Sequence, residues 1–250
     1  MQTSKYSRNV LPSGELVGQL DPREFEESEP DTHWLAVAPR TKLTGVYSPG
    51  FQRPWDDSGK TYDWRSPPES DDNTGCVRPE MIIGRFKPML LREYDYDAFM
   101  VGYVLINLRT GLPWKDANGE YRQPRINKEG LQWVRSQGFE VYAMTLFADI
   151  DNPGHCEWTP ELRTANDHRV SNCPMTRSCA RYYTKRGYRL AQPVVDMIPV
   201  DRIEQILHMW LTKLEGWGIV ADERCGDWTH FMRAPNVIRD FKRSKSELFL

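Results

Sequence analysis

The chain has 250 residues, 39% hydrophobic and 27% charged, with 33 Lys and Arg against 35 Asp and Glu and a net charge of −2. That is enough apolar material for a sizeable core in one large domain or two small ones. It excludes a histone-like basic coat, a membrane span of roughly 20 uninterrupted apolar residues and, with five cysteines, a disulfide-dense scaffold. An odd number of cysteines suits reduced thiols or a metal site. With no apolar signal core in residues 1–13, the expected location is the cytoplasm.

Residues 1–31 are polar, with acids at Glu24, Glu26, Glu27, Glu29 and Asp31, and 49–79 is dense in Pro, Gly, Asp and Ser. Residues 1–80 therefore read as an N-terminal tail and loop-rich extension, and 81–250 as the main domain. Strand-like runs follow at 81–86 and 99–108. Asn127 can cap a helix reaching about Gln137, with Gly138 as its stop. Residues 139–151 form an apolar run suited to a central strand buried on both faces. A basic strand is expected from Thr184 through Val195. The clearest helix spans 200–215, with Ile203, Ile206, Leu207, Trp210, Leu211 and Leu214 as its apolar stripe and Gly216 after it. A last strand is expected over 226–235. The pattern is that of an α+β chain.

Asp149 and Asp151 close the apolar strand, and a period of two aims both carboxylates at one face. Adjacent like charges repel unless a cation lies between them, and Mg²⁺ or Mn²⁺ prefers such hard oxygen ligands. Eighteen aspartates in 250 residues make about one D-x-D by chance. A second pair, Asp95 and Asp97, reads as a solvated turn. On a strand over 226–235, Asp227 and Arg233 would share a face, an acid for metal in line with a guanidinium for phosphate.

No Asp or Glu occurs between His168 and Val195, a segment holding Arg169, Arg177, Arg181, Lys185, Arg186 and Arg189. Such segregation of charge marks an anion site, for nucleic-acid backbone or nucleotide phosphates. On an extended strand Lys185, Gly187 and Arg189 would face one way, and Gly187 would let a phosphate approach the backbone. Cys156, Cys173 and Cys179, with His155 or His168, are a candidate zinc set in an insertion at 155–180. Their spacing lacks a C-x₂-C knuckle, and His155 could instead face the acidic pair.

The order of these motifs resembles the archaeo-eukaryotic primase superfamily, closest to the primase-polymerases of plasmids, phages and mobile elements. Asp149-x-Asp151 stands as motif I, the Gly187-containing basic strand as motif II, and Asp227 running into Arg233 as motif III. The likeness covers about residues 127–239. In place of the family's Ser-x-His, motif II here has Gly187-Tyr188-Arg189, so Arg189 stands where the phosphate-contacting histidine would. The resemblance implies an RRM-like catalytic sheet with a packed second α/β unit, in a bacterial, phage or plasmid-encoded protein. It implies a DNA primase or polymerase working by two-metal nucleotidyl transfer with Mg²⁺ or Mn²⁺, a structural zinc in the insertion, and no membrane. Its implied partners are a single-stranded DNA template or primer, dNTP or NTP, and a helicase domain or protein. Asp149, Asp151 and Asp227 would hold metal; Lys185, Arg186, Arg189 and Arg233 would meet phosphate. A metal-dependent nuclease and a non-catalytic replication-initiator module that binds nucleic acid are the alternatives.

Overall fold

A computed structural model describes residues 33–40, 51–52, 61–62, 80–95, 97–239, 242–244 and 246–250. The acidic tail, most of the 49–79 loop and Cys76 lie outside the described residues. In chain order the strands are β1 (Trp34–Arg40), β2 (Phe51–Gln52), β3 (Thr61–Tyr62), β4 (Glu80–Arg85), β5 (Asp97–Val101), β6 (Tyr103–Asn107), β7 (Arg122–Pro124), β8 (Phe139–Asp151), β9 (Ala180–Thr184), β10 (Gly187–Pro199), β11 (Met232–Arg233), β12 (Val237–Arg239), β13 (Lys242–Ser244) and β14 (Leu248–Phe249). The helices are α1 (Phe86–Leu91), α2 (Leu131–Ser136), α3 (Pro160–Asn172) and α4 (Val200–Glu215). The fold is mixed α+β with antiparallel sheets, in two compact units. No helix among the described residues is long and apolar enough to cross a membrane.

Unit B comprises the described residues within Trp34–Tyr142 and Phe231–Lys245. Its sheet has the order β11-β5-β1-β4-β7, with β1 paired antiparallel to both β4 and β5. The middle strand of this sheet thus comes from residues assigned on sequence to the extension. The physical reason is plain in its burial: Leu35, Ala36, Val37 and Ala38 are all at most 1% exposed. An apolar run buried on both faces has no period to read, and this one stands alone between polar segments. The 99–108 run is two strands, β5 and β6, broken at Gly102. Buried Gln123 locks β6 by accepting from the Leu105 amide (2.9 Å) and donating to the Tyr103 carbonyl (3.3 Å). Asn127 caps as expected, its side chain accepting from the Gly130 amide at 3.2 Å, and Gly138 follows α2 at φ +79°.

Unit A comprises, among the described residues, His33, Ala143–His230 and Ser246–Leu250. Its sheet runs β14-β9-β10-β8, and β6 hydrogen-bonds to β8 on the far edge. The Leu108 amide, just after β6, donates to the Gly138 carbonyl, just before β8, both in unit B. As its composition demands, β8 is buried almost throughout from Val141 to Ile150. On α4 the stripe Ile203, Ile206, Leu207, Trp210 and Leu214 is buried, each side chain contributing about 2 kcal/mol by leaving water. By contrast α3 buries only Asn166 and Val170; it starts because Thr159 accepts from the Leu162 amide and Pro160 is preset for the first turn.

Candidate active site at the end of β8

Asp149 and Asp151 end β8 on one face, with side chains 25% and 44% exposed. The strand stops at Asn152, whose buried amide donates to the Cys156 carbonyl at 3.0 Å. Gly154 and His155 then both take left-handed φ, +63° and +54°. This tight reversal sets the His155 Nδ1 3.3 Å from the Asp151 carboxylate. Left-handed backbone is unusual outside glycine, and it is retained here where the turn returns an imidazole to an acid.

β10 lies across from this end. The Asn152 amide donates to the Arg186 carbonyl at 2.8 Å, and Arg189 Nη2 donates to Asp149 Oδ2 at 3.0 Å. Burial works against the Arg189 charge, but Tyr182 and Asp149 outweigh it, and its pKa is raised. Two expectations are corrected. Lys185 does not lie on the strand with Gly187 and Arg189: Lys185 and Arg186 form a two-residue turn between β9 and β10, with Thr184 opposite Gly187. Nor does Gly187 leave its backbone open to phosphate. The space its Cβ would take is filled by the Ile150 carbonyl, so the glycine serves close strand packing. At the turn Lys185 reaches Glu157 at 2.6 Å, and that hydrogen bond and charge hold the Glu157 carboxyl below its ordinary value.

The segment after α4 completes the site. Asp222 donates its amide to the Asp149 carbonyl at 2.8 Å, while the Asp149 amide donates to Cys225 Sγ at 3.2 Å. Burial pushes the Cys225 thiol up to about 12. Asp227 is not on a strand, contrary to expectation. Its carboxylate accepts from the Thr229 amide at 2.9 Å in a turn, and only Met232 and Arg233 form β11. The cause is local, since an aspartate that bonds the backbone two residues on favours a turn over a ladder. Burial lowers the His230 pKa, although Asp222, Asp149 and Asp227 all pull it upward, and Arg224 adds to the lowering. Three carboxylates from two segments thus act on one imidazole.

Arg233 belongs to unit B. It donates through Nε and Nη2 to Asp97 at 2.7 and 3.2 Å, with the Phe99 ring 4.9 Å from its guanidinium carbon. The zinc candidates are dispersed in character. Cys156 is exposed, Cys173 is fully buried, and the half-buried Cys179 donates to Gln192 at 3.2 Å. Burial raises the Cys173 and Cys179 thiols. His168 is exposed on α3, lining with Thr164, Asn172 and Trp217 an open groove of about 850 Å³. Among the described residues, no three of His, Cys, Asp and Glu stand together as a metal-holding group. The donor set of Asp149, Asp151 and Asp227 remains chemically that of a hard divalent cation, all of it carboxylate oxygen.

Asp222 and His230 escaped the sequence reading, which left Cys225 as a structural thiol. Asp222 carries a weak signal, an aspartate heading a short polar turn, where its carboxylate accepts from the Arg224 amide at 2.8 Å. His230 carries none. Comparisons with known protein families, with curated proteins and with solved structures find no match to this chain.

Proposed function

We propose that the chain is a nucleotidyltransferase of the primase-polymerase kind, extending or initiating DNA on a single-stranded template from dNTP or NTP. One observation carries the reading: the segment after α4 that holds Asp222, Cys225 and Asp227 is hydrogen-bonded to β8 at Asp149, while Arg189 reaches the Asp149 carboxylate from β10 at 3.0 Å. A carboxylate at a strand end paired with a largely buried guanidinium, with further acids on the neighbouring segment, suits the handling of a polyphosphate. The finer architecture, an RRM-like sheet with a packed second α/β unit, belongs to the same proposal.

In this reading Asp149, Asp151 and Asp227 would hold Mg²⁺ or Mn²⁺, which neutralises the triphosphate and lowers the pKa of the attacking 3′-hydroxyl. The 3′-oxygen bonds to the α-phosphorus, the bridge to the β-phosphate breaks, pyrophosphate leaves and the hydroxyl proton passes to solvent. Arg189 orients a phosphate through its planar fork, and exposed Arg186 offers charge at the hairpin tip beside Lys185, whose charge is shared with Glu157. Arg233, engaged with Asp97, is left out of this set. Primer extension on a single-stranded template tests the reading: Asp149→Ala and Asp227→Ala should each abolish incorporation with the fold intact by circular dichroism. Incorporation at the wild-type rate in either variant would overturn it.

A further inference from the structure

Four side chains of unit B, none used by the reading above, meet in one continuous series of contacts. Trp34 opens β1 and stands directly opposite Arg85, the last residue of β4. Residues paired this way in an antiparallel ladder project from the same face. The Arg85 guanidinium carbon lies 4.0 Å from the Trp34 ring centroid. The Tyr121 ring is 5.4 Å from that of Trp34, tilted by 46°. Lys115 Nζ in turn lies 4.6 Å from the Tyr121 centroid. The order is cation, ring, ring, cation. Tyr121 is fixed to the sheet by its carbonyl, which accepts from the Ile83 amide at 2.8 Å.

Both rings are half-buried and both cations exposed. Among the described residues neither Arg85 nor Lys115 has a carboxylate in ion-pairing range, unlike Arg135, Arg163, Lys185 or Arg243. Two uncompensated cations bracketing two partly open aromatic rings on a rigid sheet constitute a recognisable chemistry. Beside the cation that lies over each, the exposed parts of the rings offer aromatic surface to bases of any identity, and the cations offer charge to the phosphates between those bases. An apolar partner would have no use for the cations. An acidic peptide would have none for the rings.

We propose that Trp34, Tyr121, Arg85 and Lys115 form a binding platform for single-stranded nucleic acid. It is carried by residues other than those of the β8 site, so it stands or falls separately from nucleotidyl transfer. Fluorescence anisotropy of the full chain with short labelled oligothymidylate and oligouridylate, over a range of salt, tests it. Arg85→Ala combined with Lys115→Ala touches only exposed side chains and should fold. It should weaken binding about tenfold and lower the slope of log affinity against log salt by about one. Trp34→Phe, which keeps a ring, should retain most of the binding, whereas Tyr121→Leu should lose about fivefold or more. Binding of either oligonucleotide with these losses supports the platform, and the better of the two identifies its natural strand as DNA or RNA. Unchanged affinity and salt slope in the double variant would overturn the platform. So would displacement of the oligonucleotide by polyglutamate as effective as by unlabelled oligothymidylate.

Discussion

Asp95-x-Asp97 in unit B and Asp149-x-Asp151 in unit A have the same spacing, and each has one member paired with an arginine on a neighbouring strand. Their states differ. Asp97, its side chain 8% exposed, accepts two hydrogen bonds from Arg233 with an aromatic ring beneath. Asp149, 25% exposed, accepts one from Arg189 and has Asp151 on its own face and Asp222 bonded to its carbonyl. Asp97 is committed to holding strands together, while its partner Asp95 stays in solvent; Asp149 keeps acceptor capacity near water. A carboxylate's role follows from how many of its lone pairs the fold already uses. The solvated turn expected at Asp95 and Asp97 holds for exposed Asp95, 3.1 Å from Arg243, and is corrected for Asp97, which is core.

The comparison can be broken most directly on activity. Asp149→Asn should lower nucleotide incorporation about 1,000-fold, the scale of losing one preorganised electrostatic group, while costing less in urea melts than Asp97→Ala because the asparagine oxygen still accepts from Arg189. A variant that loses stability but keeps its rate would reverse the roles assigned to the two pairs. Asp97→Ala should do the opposite, costing about 3 kcal/mol in urea unfolding because it strands a largely buried guanidinium. Next in size is Gly187→Ala. Its methyl must displace the Ile150 carbonyl, and about 2 kcal/mol of stability should be lost; a neutral result would show that β8 and β10 can part at the acid pair without penalty. The smallest effect concerns thiols. Burial raises the pKa of Cys173, Cys179 and Cys225, so less thiolate is present at pH 8, whereas Cys156 is exposed. Among these four, Cys156 should alkylate first, as mapped by mass spectrometry. Protection of Cys156 that a chelator relieves would instead mark it as a zinc ligand.

Much of the scaffold around the site was legible beforehand. The bounds of β8 and α4, and the Asn127 cap with its Gly138 stop, follow from signals contained within a dozen or so residues. The site was legible only in part. Asp149, Asp151 and Arg189 stood out because strand period and local charge are one-dimensional features. Lys185 was misplaced because a two-residue hairpin and a longer basic strand have nearly the same composition; Gly187 is on the strand as expected, but its role was misread because the approach of the Ile150 carbonyl shows only in the packing against β8. Asp222 had only the weak signal of an aspartate heading a turn, and His230 had none. They matter through contacts with a strand some seventy residues earlier in the chain.

By itself, then, the sequence determined β8, α4 and the segregation of charge, since helical period, continuous apolar runs and capping residues act locally; α3, with no apolar stripe, was not read from it. Tertiary structure decided the rest: that Trp34–Arg40 is a middle strand, that one D-x-D is locked and the other open, and that Arg233 serves Asp97. These depend on register and burial, which are set by partners far away in the chain. A carboxylate has the same letter in water and in the core; its partners make the difference.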